Sequence, residues 1–311
     1  MLSRFGIEAA LTANCLGLPM PFQQITIIGT GLIGGSFGMA ITAAGLGSRV
    51  VGCDRALVLE KARRIGAIDV GIEDPAEAIR GSDLIFLASP VGSIVDLIER
   101  IGPIASPDAL ITDAGSTKTE ILNRAQAVFG DQAARRFIGG HPMAGKEHSG
   151  IDYAEAALFR NAIWLLVTTG RRQNSENPRT IPSKAMEYQQ LLEKIGARVL
   201  HMEAERHDRL CAWISHLPQM LSTALAGALV DEFGDDPEVH LVGGRALREM
   251  TRISSSPYSM WRDIAHTNSG NIEHALSRVE QRIAHLRENL RTQGLREEFE
   301  RANLFAAKMK K

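Results

Sequence analysis

The sequence predicts an α/β fold in which a doubly wound, mainly parallel sheet is followed by an all-α domain, and three observations predict it. A run of β-branched residues without alternation, Ile-Thr-Ile-Ile at 25–28, leads directly into Gly29-Thr30-Gly31-Leu32-Ile33-Gly34 and then into a helical pattern over 32–44. Such a run reads as a strand buried on both faces of a parallel sheet. Short apolar runs then alternate with helical stretches as far as residue 202, the rhythm of repeated strand-helix units. From residue 203 onward the strand signals stop and only helical periodicity remains.

The first unit sets the class of ligand. In a strand-turn-helix unit, Gly29 permits the tight turn, Gly31 lets the backbone approach a pyrophosphate, and Gly34 lets the helix pack closely on the strand. Leu32 and Ile33 open the helix, whose free N–H groups and positive dipole end face the anion. A second strand, 49–54, ends on Asp54, twenty residues after Gly34, where a carboxylate accepts the hydroxyls of an adenosine ribose. This is a Rossmann-type dinucleotide site. Asp54 repels a 2′-phosphate and argues for NAD; Arg55 is the residue type that pairs with one, so NADP is the second choice.

The remaining elements follow in order. Residues 57–65 read as a helix, 84–88 as a strand ending in Ser89-Pro90, 91–101 as a helix, and 110–113 as a strand ending in Ala114-Gly115-Ser116. A helix over 118–128 and strands over 136–138 and 163–167 come next. Ligands of such sheets bind outside the carboxyl ends of the strands, so Ser89, Pro90, Ser116 and His141 should line one crevice with Gly31. The stretch 171–184 is polar, holds two prolines and has no periodicity, and reads as a surface loop. A helix over 186–195 and a strand over 198–202 close the domain. Helices are expected over 203–230, 237–250 and 271–290. The chain therefore divides into an N-terminal extension (1–22), a dinucleotide-binding domain (23–202) and a helical substrate and dimerisation domain (203–311).

The helix over 203–230 is apolar on more than one face, with Leu210, Trp213, Ile214, Leu217 and Leu221 among its residues. A helix of that kind must be covered on all sides, and a partner subunit is the available cover, so a homodimer is expected. Pro218 inside it should free the carbonyl of Ile214 and kink the helix beside His216.

Composition excludes several classes. The 311 residues carry a formal net charge of −1, with 44% hydrophobic and 23% charged residues, the profile of an ordinary globular chain of about two domains. That balance offers no electrostatic footprint for nucleic acid or an anionic membrane. The charge-free runs 9–48 and 210–230 are broken by glycine, proline and polar residues, so neither is a lipid-facing span. Cys15, Cys53 and Cys211 are scattered without pairing, so neither a disulfide framework nor a metal site is expected, and a reducing cytoplasm fits best.

Several stretches together resemble the prephenate/arogenate dehydrogenase family of tyrosine biosynthesis. They are Gly29-x-Gly-Leu-Ile-Gly-Gly-Ser36, Ser89-Pro90, Asp113-x-Gly-Ser116-x-Lys118, Gly139-Gly140-His141-Pro142-Met143-Ala144-Gly145-x-Glu147, His207-Asp208, Ser215-His216-Leu217-Pro218, and Thr251-Arg252-Ile253 followed by Trp261. The resemblance runs over about residues 24–265 with its motifs in family order. It implies an oxidative decarboxylation: hydride leaves ring C4 of prephenate or arogenate for NAD, the 4-hydroxyl gives up its proton, and the ring carboxylate departs as CO2. It places His141 on that hydroxyl as the proton acceptor, with Ser116 holding the same group. A neutral imidazole suits the task because its ordinary pKa lies near working pH. Arg252 is implied as the anchor of the side-chain carboxylate, and Ser215 and His216 as the substrate wall. Glu147, Asp208 and Trp261 are implied as an outer gate around the substrate tail. Where many members read Ser-His-Leu-Pro-His this chain has Gln219, which can hydrogen-bond but carries no charge, leaving open whether the substrate has a keto or an amino side chain. A catalytically silent NAD-binding regulator is the rival from another class; it would need neither a proton acceptor nor a carboxylate anchor.

Overall fold

The structure is a computed structural model of the chain and describes residues 22–146, 148–168 and 183–309. The expected N-terminal extension before Phe22, Glu147, and the expected loop up to residue 182 lie outside these residues.

The first half builds one eight-stranded sheet in the order β3-β2-β1-β4-β5-β6-β7-β8. Its elements are β1 (Gln24–Ile28), α1 (Leu32–Ala43), β2 (Arg49–Cys53), α2 (Ala56–Arg64), β3 (Val70–Gly71), α3 (Pro75–Ala78), β4 (Leu84–Leu87), α4 (Val91–Ile101), β5 (Leu110–Asp113), α5 (Thr119–Phe129), α6 (Ala133–Arg136), β6 (Phe137–Pro142), β7 (Ile163–Val167), α7 (Ser183–Lys194) and β8 (Arg198–Met202). All pairings are parallel except β6 with β7. β1 lies between β2 and β4, so the order of strands reverses there and the crevice for a ligand opens above Gly29 and Ser89.

The strand residues alternate between two cores. On β4, Leu84 and Phe86 face one cluster with Ile25, Ile27, Phe37 and Trp164, while Ile85 and Leu87 face another with Val51, Ile111 and Phe137. Burial on both faces is why these strands read as unbroken apolar runs. One expectation changes here. The strand expected over 136–138 continues to Pro142, so His141 sits inside the strand, opposite Leu165 of β7. Gly139 and Gly140, poor strand formers, hid the continuation; a side chain at Gly140 would strike the carbonyl of Asp113 at 2.4 Å. The very short β3 and α3 carry no periodic signal of their own.

From Ala204 the described chain is helical: α8 (Ala204–Cys211), a π-turn over Ala212–His216, α9 (Leu217–Phe233), α10 (Pro237–Val242), α11 (Arg245–Thr251), a 3-10 turn over Arg252–Ser255, α12 (Tyr258–Thr267), α13 (Ser269–Glu288) and α14 (Gln293–Met309). The helix expected over 237–250 is split at Gly243-Gly244, which do not hold a helix interior. Beside His216, where Pro218 was expected to disturb the helix, the chain forms a π-turn in which the N–H of Leu217 reaches back to the carbonyl of Ala212. Widening the helix by one residue is how the chain accommodates a proline that cannot return a hydrogen bond to Ile214. No described helix is long and apolar enough to cross a membrane.

Candidate active site

The glycine turn is shaped by contacts that only glycine allows. Gly29 adopts φ +92° with its missing side chain facing the Ala88 carbonyl at 2.5 Å, and a side chain on Gly34 would meet the Gly29 carbonyl at 1.9 Å. Gly31 differs: nothing lies within 4 Å of where its side chain would be. That open space stands over the start of α1, which has neither a side-chain cap nor an acidic residue in its first turn. A bare helix N-terminus beside an open glycine fits a pyrophosphate. Asp54, half-buried at the end of β2, accepts the Thr30 N–H at 2.8 Å and the Arg55 N–H at 2.8 Å. It therefore holds the glycine turn, and its remaining lone pairs are available to ribose hydroxyls. Ser89, also half-buried, brings its hydroxyl within 2.9 Å of the missing Gly29 side chain, and Pro90 precedes the first turn of α4. These residues fit NAD.

His141, 9% exposed, lies at the carboxyl end of β6 on the side of the sheet where the glycine turn opens. Its Nδ1 is 2.9 Å from Nε2 of His207, whose Nδ1 is 2.8 Å from Oδ1 of Asp208. Burial, with His207, Lys118 and His216 nearby, pushes the His141 pKa well below the ordinary histidine value, so the ring is neutral. The Cys211 thiol lies 3.6 Å from His207 and 3.9 Å from His141, and burial pushes its pKa up to about 12. The two facing ring nitrogens are at hydrogen-bond distance, closer than the roughly 3.3 Å between two nitrogen ligands of a tetrahedral zinc.

Beneath His141, the fully buried Lys118 pairs with Asp113 and donates to the Gly140 carbonyl at 2.8 Å. Asp113 also accepts the N–H groups of Gly115 and Gly140. This knot clamps the loop carrying half-buried Ser116 to the strand carrying His141. Asp208 is not at an outer gate. It is 2% exposed, and it accepts the N–H groups of Lys118 at 2.7 Å and Thr119 at 2.9 Å. It thus caps the start of α5, which has no side-chain cap of its own.

The helical domain supplies the rest. The π-turn sets His216 inward, edge-on to Trp261 at 5.8 Å and with Nδ1 3.2 Å from Asn268. Burial pushes the His216 pKa down to about 4. Gln219 is buried one turn on and donates to Thr223 at 3.3 Å. Ser215 is half-buried in the same turn, while Arg252 is exposed in the 3-10 turn that packs on α9. The structure thus brings His141, His216 and Asp208 into one cluster, and Gly31, Asp54 and Ser89 into another. Three participants carried no role in the sequence reading: His207, Lys118 and Asp113. Each stood in a quoted motif; the spacing of four between His207 and Cys211 puts both on one helix face, but nothing in it points to His141.

Comparison with known proteins follows the same division. A family model described as prephenate dehydrogenase, nucleotide-binding domain, matches residues 37–201, and one described as prephenate dehydrogenase, dimerization domain, matches 203–305. The chain is 33% identical over 267 residues to a prephenate dehydrogenase of Lactococcus lactis, covering 86% of this chain and 70% of that protein. It is 31% identical to a prephenate dehydrogenase of Bacillus subtilis, covering 80% of this chain and 65% of that one. The match thus spans about two thirds of the length of these relatives. A crystal structure of prephenate dehydrogenase from Aquifex aeolicus with hydroxyphenyl propionate and NAD+ superimposes with a TM-score of 0.78 at 28% identity, covering 95% of this chain and 97% of that one.

Proposed function

The chain belongs to the prephenate dehydrogenase family, and from that premise we propose its reaction and the residues that carry it. It is an oxidoreductase that uses NAD to convert prephenate to 4-hydroxyphenylpyruvate with loss of CO2, a step of tyrosine biosynthesis. The observation that carries this reading is a buried, neutral His141 at the carboxyl end of a sheet whose glycine turn fits a dinucleotide.

When bound, the nicotinamide supplies the acceptor for the hydride that leaves ring C4. Aromatisation drives the loss of CO2, so the protein's tasks are positioning and one proton. His141 accepts the 4-hydroxyl proton through Nε2 as C4 becomes electron-poor, and returns it to the phenolate oxygen once the ring is aromatic. A pKa held low by burial suits that return, because the imidazolium gives its proton up readily. Ser116 holds the same hydroxyl. Arg252 anchors the side-chain carboxylate with paired, charge-assisted bonds, while Ser215, His216 and Gln219 form the wall, and Glu147 and Trp261 bound the tail. Asp208 acts from behind the ring rather than on the substrate.

The chain works as a homodimer. Its helical domain has a core cluster of only Ala212, Ile264 and Ile272 among the described residues, while Val230, Phe233, Leu241 and Val242 are at least half exposed in one copy. A second copy buries such surface. Cytoplasmic residence completes the reading, supported by the unpaired, buried Cys53 and Cys211.

The test is the initial rate of NADH or NADPH formation with prephenate or arogenate, each with NAD or NADP. The reading expects the highest kcat/KM for prephenate with NAD, and 4-hydroxyphenylpyruvate and CO2 as products. No turnover in any combination, from folded protein that binds NAD, would overturn it.

A further inference from the structure

Behind His141 two side chains follow in sequence, His207 and then Asp208, and the far end fixes the direction of every bond. Burial raises the pKa of the Asp208 carboxyl, but hydrogen bonds from His207, Thr119 and Lys118 outweigh that and hold it below the usual range, so Asp208 is ionised. An ionised carboxylate only accepts. The proton between Asp208 and His207 therefore sits on Nδ1 of His207. Burial keeps His207 neutral as well, which leaves its Nε2 bare and able only to accept. The proton between the two rings must then sit on Nδ1 of His141, and Nε2 of His141 keeps its lone pair. An isolated histidine favours the opposite form, with the proton on Nε2, so the protein selects the less favoured tautomer.

We propose that His207 and Asp208 are positioning residues that lock His141 in the Nδ1–H form, making Nε2 a standing acceptor for the substrate hydroxyl. The inference rests on the reading of His141 as the proton acceptor. The line is held from several sides. Asp208 cannot swing, because two backbone N–H groups at the start of α5 hold its oxygens and Asn268 donates to its carbonyl at 2.8 Å. Among the described residues no other charged or titratable neighbour takes over. The Lys118 ammonium is committed to Asp113 and the Gly140 carbonyl, the Cys211 thiol stays protonated, and His216 is neutral. The contact between His207 and Asp208, neighbours on α8, is local, whereas that between His207 and His141 joins the helical domain to the sheet. The state of the base therefore depends on how the two halves of the chain meet.

The test reads the tautomer directly, in full-length protein labelled with 15N-histidine, with the His141 signals assigned by their loss in His141→Asn. The expected result is a protonated, pyrrole-type Nδ1 and a bare, pyridine-type Nε2. In His207→Leu the ring should revert to the Nε2–H form, and kcat with prephenate and NAD should fall by about 10²- to 10⁴-fold, the scale of loss when a catalytic histidine takes the wrong tautomer. KM for both ligands should stay within a few-fold. His207→Gln, whose amide oxygen can accept from Nδ1–H, should recover much of kcat. A wild-type His141 protonated on Nε2 overturns the proposal, as does a His207→Leu enzyme with wild-type kcat. So does a folded His207→Gln enzyme with no tautomer or rate recovered. If the leucine variant fails to fold, the wild-type tautomer and the glutamine variant still decide. Failure here leaves prephenate oxidation standing, and a protein that did not oxidise prephenate would still report its tautomer.

Discussion

At Asp54 the choice of cofactor comes down to one charge beside Arg55. Its carboxylate holds the Thr30 N–H, and in the proposed site its free lone pairs take the ribose hydroxyls. Asp54→Ser should remove the repulsion of a 2′-phosphate and leave Arg55 to bind it, moving the NADP-to-NAD ratio of kcat/KM by about 10- to 100-fold, or about 1.4–2.8 kcal/mol; an unchanged ratio would remove Asp54 from the ribose site. At Arg252 the expected loss is in binding. Arg252→Gln should raise KM for prephenate by about 10- to 100-fold with kcat nearly constant, because the anchor acts equally on ground and transition states, and a loss confined to kcat would refute that role. Asp54 and the glycines were read from their spacing along the chain, whereas the role of His141 was named by the family resemblance. His207 and Lys118 were not legible, since what gives them their roles is burial and a partner distant in sequence: Lys118 bonds to the Gly140 carbonyl and His207 to His141. The expected gate role of Asp208 failed for the same reason, as its carboxylate is taken up by the start of α5.

Among the elements, the strand-turn-helix unit and the clamp between β5 and β6 separate binding from stability. Gly31→Ala adds a methyl where the fold has nothing within 4 Å, so thermal stability should hold while NAD affinity falls by about tenfold or more. Gly34→Ala drives a methyl into the Gly29 carbonyl and should lower stability as well as affinity. Equal melting losses in the two variants, compared by calorimetry and NAD titration, would contradict the assignment. Lys118→Met leaves Asp113 buried without its cation and should cost about 3–5 kcal/mol in denaturant unfolding. The parallel strands were legible because burial on both faces writes an apolar run. The extension of β6 through two glycines and the π-turn before Pro218 were not, since there backbone geometry in the folded chain overrides the local pattern; the break at Gly243-Gly244 follows the local propensity of the glycines, which the helical periodicity around them masked.

For the whole molecule, three buried neutral histidines tie stability to pH. Burial lowers the pKa of His141, His207 and His216, so below about pH 6.5 the unfolded chain binds protons that the folded chain refuses. Stability is therefore fully present above that pH and is lost as pH falls through the folded values, about 4 for His216. Calorimetry should show Tm falling steadily from pH 7 to pH 5; a flat profile would mean that these rings are protonated in the fold. The poorly filled core of the helical domain predicts a particle of two chains by light scattering. The central claim, that a neutral His141 moves the proton of the reaction, is tested most directly by the kcat of His141→Asn with prephenate and NAD. A fall of about 10²- to 10⁴-fold, with both ligands bound at nearly wild-type affinity, is the result predicted; a kcat close to wild type would contradict the account.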